Sequence, residues 1–295
     1  MQPMAPRRAT HSIHLEVGGK RVFAGAVDWP GWCRSGRDED AAIEALFAYA
    51  PRYARALRST QLGFVAPAEI TAFTVVERLE GNATTDFGAP DLPPSADAKP
   101  VTGQDLARFT TLLRACWRAF DRAANQAEGK ELARGPRGGG RDLDKVVDHV
   151  LDADESYLAM LGASAPKGDP DERATQLRRA VLDALEVAVR EGVPPGPRGG
   201  KRWSPRYFVR RSAWHVLDHA WELEDGSWEG DHLGDHLGGQ AAMPDVVQRA
   251  MGPIQIPDVS NSAGSTNNAA TKTQSRRGDD TTHSSRAMIH RESAP

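Results

Sequence analysis

Two histidines stand four positions apart in HVLDHAWELED, residues 215–225, a segment that otherwise has the pattern of a helix. Side chains at positions i and i+4 are neighbours on one helical face, so the imidazoles of His215 and His219 can converge on one cation. Metal–nitrogen bonds of about 2.0–2.1 Å suit this arrangement. Two histidines that simply share a face and form ordinary hydrogen bonds have the same spacing, so the pair alone leaves both interpretations open.

A metal held by two ligands is bound weakly, so a third ligand is needed. His149, in KVVDHVLDADESYL, is the other histidine within the predicted helices of this part of the chain. All three histidines fall on the flank of an apolar helical stripe, where side chains point into the cleft between neighbouring helices. One histidine from one helix and an HxxxH pair from another would form a three-nitrogen face with coordination positions left for water or substrate. Zinc and nickel both suit imidazole ligands.

Four amphipathic helices are predicted to position these histidines. Apolar residues recur at helical spacing over about 103–126, 141–162, 171–190 and 205–224. Helices of this length joined by loops indicate an all-α four-helix bundle over residues 102–225. His149 then belongs to the second helix of the bundle, and the HxxxH pair belongs to the fourth.

The first part of the chain, residues 10–87, has the pattern of a small α+β domain. Alternating residues around a Gly-Gly-Lys turn predict a β-hairpin. After a proline–glycine loop, Asp38 or Asp40 is expected to cap a helix, and Pro51 is expected to kink or split that helix. Residues 71–79 predict a further strand.

Two segments lack these periodic patterns. Residues 88–101 contain four prolines and are predicted to be a linker. Residues 226–295 have few large apolar side chains and are predicted to be a disordered tail. The expected fold class is therefore an α+β N-terminal domain, then an all-α four-helix bundle, then a disordered C-terminal tail.

Composition excludes several classes of function. The formal net charge of −3 provides no basis for non-specific nucleic-acid binding. The two cysteines, Cys33 and Cys116, allow neither a disulfide framework nor a CxxC zinc site, which fits a reducing, cytoplasmic setting. No apolar run reaches the roughly 18 residues of a membrane span, and the N-terminal residues lack the apolar core of a secretory signal.

The short sequence GPRGG occurs twice, at residues 135–139 and 196–200, each time before a predicted helix. A basic, glycine-rich loop can hold an anion through backbone N–H groups and an arginine. Arg137 and Arg198 are therefore candidates for binding an acidic cofactor or substrate. Two similar loops at one end of the bundle are the alternative explanation.

The order of these motifs resembles the DinB-like superfamily over about residues 102–225. The resemblance is carried by a histidine in the second helix, VVDHVLDADESYL, and by HxxxH in the last, AWHVLDHAWELED. It implies His149, His215 and His219 as ligands of a divalent metal. The superfamily includes mycothiol- and bacillithiol-dependent transferases and isomerases, so it also implies a thiol such as mycothiol as a second cofactor. A metal-bound thiolate would then attack an electrophile held in the open site.

The sequence does not identify a catalytic acid or base. Asp152, Asp218 and Glu222 stand near the histidines and could fix imidazole tautomers by accepting hydrogen bonds. Charge on the helix surface is the simpler explanation for each of them. On the enzymatic hypothesis, the expected binding partners are a small-molecule thiol and an electrophile.

The N-terminal part resembles the core of HicB-like antitoxins in the segment AGAVDWPGWCRSGRDEDAAIEAL. The matching positions are Asp28, Pro30, Gly31, Cys33, Gly36 and Ala45. Trp32, between Gly31 and Cys33, departs from the usual spacing, and no DNA-binding module is appended. The resemblance therefore implies a protein partner or a homodimer rather than operator binding. The second hypothesis is a non-enzymatic binding or regulatory protein that uses this domain for partner contact and the bundle as a scaffold.

Overall fold

A computed structural model describes residues 9–130, 132 and 142–226. The predicted disordered tail beyond Gly226 and the candidate Arg137 lie outside the described residues. No helix in the described ranges combines the length and apolar character needed to cross a membrane. An N-terminal region with a four-stranded sheet precedes a series of long helices.

The sheet contains β1 (His11–Val17), β2 (Val22–Ala26), β3 (Cys33–Gly36) and β4 (Phe73–Glu80). Its strand order is β3-β2-β1-β4, with β1 antiparallel to β2 and parallel to β4. The predicted hairpin and the predicted later strand are confirmed. β3 occupies part of the expected proline–glycine loop, because its backbone pairs with β2 from Gly25↔Cys33 to Val22↔Gly36. Four residues reading CRSG carry no alternating apolar signal, so sequence patterns missed this strand.

Helix α1 (Glu39–Leu57) connects β3 to β4 and packs against β2 and β3. The Asp38 carboxylate accepts a hydrogen bond from the Ala41 N–H at 2.8 Å, which confirms the predicted cap. Pro51 lies inside the helix, which continues through it rather than dividing. The apolar residues that recur at helical spacing along α1 are buried: Ala42, Leu46, Ala50, Tyr53 and Leu57.

A short helix, α2 (Ala83–Phe87), is followed by four long helices at the predicted positions. These are α3 (Gly103–Ala127), α4 (Leu143–Met160), α5 (Arg173–Glu191) and α6 (Pro205–Gly226). Thr102 caps α3 by accepting from the Asp105 N–H at 3.1 Å, while the Asp105 carboxylate accepts from the Thr102 N–H at 3.0 Å.

Contacts at the helix ends establish the relative directions of α3, α4 and α6. The Trp203 N–H donates to the Met160 carbonyl at 3.2 Å, so the start of α6 meets the end of α4 and these helices are antiparallel. Arg206, at the start of α6, pairs with Asp105, at the start of α3, at 2.6 Å. Helices α3 and α6 therefore begin at the same end and run side by side.

Helix α6 is buried on all sides, which sets it apart from an ordinary amphipathic helix. Every residue from Tyr207 to Trp221 is buried. Helices α3, α4 and α5 contact α6, while its remaining face lies against the sheet region and residues 88–101. A helix covered in this way has no surface left on which its polar residues can be solvated, so each needs a partner inside the protein.

Residues 88–101, predicted as a linker, lie against α6. Asp97, 2% exposed, forms a buried ion pair with Arg210 at 2.7 Å. The Arg210 guanidinium also donates to the carbonyl oxygens of Ala26 and Val27, at the end of β2. One hydrophobic cluster includes Ile13 and Leu46 from the N-terminal region as well as residues of all four long helices. The two predicted domains therefore share a core.

Candidate metal centre

The structure brings together the three histidines that the sequence singled out. One nitrogen from each of His149, His215 and His219 lies within 4.8 Å of the others, an arrangement that could hold a metal ion. His149 comes from α4, and the other two come from α6, whose i,i+4 spacing places their ring centres 4.6 Å apart, with the ring planes at 74° to each other. The hypothesis required His149 to lie within bonding reach of the pair, and this requirement is met.

The spacing of the nitrogen atoms suits a small cation. The Nε2 atoms of His215 and His149 are 3.3 Å apart. Two nitrogens bound tetrahedrally to zinc, each at about 2.0–2.1 Å, are separated by roughly 3.3–3.4 Å. The ligand atoms of the set lie within 4.8 Å of one another, so two nitrogens at that limit would have to approach each other by roughly 1.4 Å to complete the site. The side chains present therefore fit a zinc-sized ion after a small adjustment.

Burial keeps the central ring in the form that a metal ligand needs. His215 and His219 are 0% and 2% exposed, whereas His149 is half-buried. Burial lowers the pKa of His215 well below its ordinary value, and the nearby His219, His149 and Arg211 lower it further. A neutral imidazole retains the lone pair that binds a cation, so protons compete little for His215 at neutral pH.

Glu222 fixes the orientation of His219. Its Oε2 lies 2.7 Å from the Nδ1 of His219, one helical turn earlier on α6. An ionised carboxylate only accepts hydrogen bonds, so it selects the tautomer with the proton on Nδ1 and leaves the lone pair on Nε2. By contrast, the buried Nδ1 of His215 has no hydrogen-bond partner among the described residues.

Two aromatic rings border the histidine cluster. The ring centre of Tyr157 lies 5.7 Å from that of His215, with the rings nearly perpendicular, and the Trp214 ring centre lies 6.1 Å from it. Burial raises the pKa of the Tyr157 hydroxyl, which therefore remains protonated and able to donate a hydrogen bond. The cluster thus combines imidazole nitrogens with aromatic walls, an arrangement that suits binding of a small, partly apolar molecule.

Two of the acidic residues that could have oriented the histidines form ion pairs with arginines instead. Asp218 forms a buried ion pair with Arg34 of β3 at 2.5 Å, and Asp152 pairs with Arg173 of α5 at 2.5 Å. Glu222, the third carboxylate near the histidines in sequence, instead hydrogen-bonds to His219. This difference was not readable from sequence spacing, because the competing arginines come from distant segments.

Arg198 lies in the connection between α5 and α6, and the structure does not bring it to the histidines. It is exposed and has a positive φ of 54° in the turn Pro197–Gly199. His215 lies ten residues after Pro205, the first residue of α6, which corresponds to about 15 Å along the helix. The other predicted anion-binding residue, Arg137, lies outside the described residues.

Arg211 and Tyr157 were missed as neighbours of the cluster. Arg211 precedes His215 by four residues on α6, and its charge contributes to the lowered pKa of that ring. Its helical spacing from His215 was a usable signal. Tyr157 follows His149 by eight residues on α4, and nothing in the sequence indicated its contact with His215 of α6.

No model of a known protein family matches this chain, and neither a curated protein nor a solved structure matches it. The resemblances to DinB-like and HicB-like proteins therefore stay predictions from short motifs.

Proposed function

We propose that this chain binds one divalent transition-metal ion, zinc or nickel, through His149, His215 and His219. The observation that supports this most strongly is the convergence of the three imidazoles from two helices, with two Nε2 atoms 3.3 Å apart. The ligand type favours these metals, since imidazole binds both well. Three protein ligands leave coordination positions for an exogenous molecule, which is typical of a catalytic rather than a structural site.

We further propose that the exogenous molecule is a low-molecular-weight thiol, as the DinB-like motif implies, and that the activity is thiol transfer or isomerisation. The bound metal would supply stabilisation of the thiolate. Glu222 would hold the His219 ring in place, while Tyr157 and Trp214 would shield the reacting groups from water. The Tyr157 hydroxyl is suited to donate a hydrogen bond to an electrophilic substrate, because burial keeps it protonated.

Metal analysis of the purified full-length protein tests the first proposal. One equivalent of zinc or nickel is expected, and His149→Ala and His215→Ala should each lose it. His149→Ala is the more informative variant, because this ring is half-buried and its removal perturbs the core least. Asp152→Asn is the matched control, since Asp152 lies on the same helix but pairs with Arg173.

A protein that is metal-free after exposure to zinc and nickel, with a melting temperature unaffected by chelator, would refute the metal proposal. It would favour the second hypothesis, a non-enzymatic binding or regulatory protein. If metal is bound, a mycothiol-dependent assay with electrophilic substrates tests the enzymatic step. Activity should then disappear in His149→Ala and persist in Asp152→Asn.

A further inference from the structure

A narrow cavity lies between the sheet and the sheet-facing side of α6. His14 of β1, Cys33 of β3 and Leu92 line it on one side, and Tyr207, Arg211 and Trp214 of α6 line it on the other. Among the described residues that line this cavity, none is His149, His215 or His219. The cavity is therefore a different place from the candidate metal centre, although Arg211 and Trp214 border both.

Arg211 brings a positive charge to this cavity, and no carboxylate of the described residues compensates it. It is 6% exposed, donates to the Pro90 carbonyl at 2.6 Å, and its guanidinium carbon lies 4.7 Å from the centre of the Trp214 ring. The buried Arg34 and Arg210 pair with Asp218 and Asp97, whereas no carboxylate of the described residues lies within ion-pair distance of Arg211. A buried cation without a counter-charge is strongly disfavoured, so an anion from outside would stabilise it.

The Nδ1 atom of His14 is a second buried polar group at this cavity. His14 is 3% exposed, and its Nδ1 has no hydrogen-bond partner among the described residues. Burial, reinforced by the charge of Arg210, lowers the pKa of His14 to about 3, although a hydrogen bond to the Gly25 backbone acts in the opposite direction, so the ring is neutral at physiological pH. In the tautomer that carries its proton on Nδ1, a neutral imidazole donates a hydrogen bond without adding charge.

We propose that this cavity binds a compact, singly charged anion, either a halide or the carboxylate group of a small organic acid, through Arg211 and the Nδ1–H of His14. One uncompensated guanidinium calls for one negative charge. The narrow cavity admits only a compact group, and its Trp214 and Leu92 walls disfavour anions that hold their hydration water strongly. This site does not depend on the proposed metal-centred function.

The test uses the full-length protein with a chelator present, so that anions cannot act through a bound metal. Bromide and formate are titrated at constant ionic strength, with gluconate as the bulky reference anion. Each probe is expected to raise the melting temperature and to saturate, because binding to the folded state alone stabilises it. If both bromide and formate raise the melting temperature, the cavity binds compact anions in general. If formate alone raises it, the cavity binds carboxylates.

Arg211→Met should weaken the response at least tenfold. Arg202→Met should retain it, because Arg202 donates only to the carbonyl oxygens of Ala159 and Pro194, away from the cavity. Should Arg211→Met fail to fold, anomalous diffraction from bromide-soaked wild-type crystals still decides the question. A bromide peak beside Arg211 and His14 supports the proposal. No peak there, or bromide and formate responses no larger than that of gluconate, would overturn it.

Discussion

Glu222 and His219 illustrate how one hydrogen bond decides the role of a side chain. The 2.7 Å contact between them fixes which imidazole nitrogen is available to a cation, and it holds the ring against rotation. Partners of this kind tune metal affinity without touching the metal, because they set the ligand's tautomer and basicity. The effect of removing Glu222 can therefore be separated from that of removing a ligand.

Glu222→Ala is expected to weaken zinc binding by about 10- to 100-fold while the protein remains folded. Glu222→Gln should fall between this variant and the wild type, since an amide oxygen accepts the same hydrogen bond without the negative charge. Competition titration with a chromogenic chelator measures the affinities. Glu224→Gln is the control, because Glu224 pairs with Arg52 and Arg55. Equal affinities in Glu222→Ala and the wild type would show that Glu222 does not position a ligand.

Asp154 is a buried carboxyl group in the helical part of the molecule. It is 2% exposed and accepts a hydrogen bond from the Trp117 indole N–H at 3.3 Å. Burial raises the pKa of Asp154 to about 7, although the charge of Arg178 and the indole hydrogen bond act in the opposite direction. In the folded protein this carboxyl therefore keeps its proton to a much higher pH than in the unfolded chain.

The free energy of unfolding should fall as pH rises from about 4 to about 7, through the Asp154 contribution. Over that interval Asp154 keeps its proton in the folded protein but has lost it in the unfolded chain. The stabilisation that Asp154 contributes is therefore complete below its pKa in the unfolded chain, and it is lost as the pH rises through its pKa in the folded protein. The slope approaches about 1.4 kcal/mol per pH unit. Urea denaturation across this range should show the slope in the wild type and in the exposed control Asp183→Asn, and not in Asp154→Asn. An unchanged slope in Asp154→Asn would contradict the prediction.

At the scale of elements, α6 is the helix on which the rest of the structure depends. It carries two of the three clustered histidines. The ion pair Arg34–Asp218 holds it to the sheet, and the ion pair Arg210–Asp97 holds it to residues 88–101. Asp218 is adjacent in sequence to His219, so its pairing with β3 also fixes the rotation of α6 about its axis. The sheet therefore helps to direct the histidines towards α4.

Arg34→Met should destabilise the protein by about 3–5 kcal/mol, because it leaves the Asp218 carboxylate buried without its partner. Arg34→Met combined with Asp218→Leu should recover much of this loss, since neither buried charge then remains. Arg78→Met is the control: Arg78 and Glu39 form an exposed pair, for which a change of at most about 1 kcal/mol is expected. Urea denaturation measures all four proteins. A small effect of Arg34→Met, comparable to the control, would mean that the ion pair does not anchor α6.

At the scale of the whole molecule, the N-terminal region and the long helices form one structural unit. Their apolar side chains belong to a common cluster that runs from Ile13 on β1 to Leu185 on α5. Residues 88–101 add buried polar contacts between them, such as Asp97 with Arg210. Neither part can separate without exposing apolar surface of the other, so their stabilities should be linked.

Native-state hydrogen exchange should therefore give similar opening free energies for amides in the centre of β1 and in the centre of α3. Such agreement is expected where both elements become exposed only in global unfolding. Amides at the ends of α1 and α5 should exchange faster and serve as the internal reference for local fraying. A markedly lower opening free energy throughout the sheet would show that the N-terminal region unfolds independently.

The sequence by itself determined the helices and the relation between neighbours on them. The i,i+4 spacing places His215 and His219 on one face of α6 wherever that helix lies, because helical geometry depends only on local backbone angles. Apolar periodicity likewise located α3, α4, α5 and α6 to within a few residues. The hairpin and the Asp38 cap were also local features, and they too were predictable.

Tertiary structure decided which distant groups meet. Asp218 and Glu222 were equal candidates from sequence, yet one pairs with Arg34 of the sheet and the other with His219. β3 formed because β2 offered backbone partners, and α6 lost its solvated face because the sheet region covers it. The energies of ion pairs, strand pairing and burial depend on distances between segments far apart in the chain. The periodic pattern of apolar residues in the sequence contains no information about those distances.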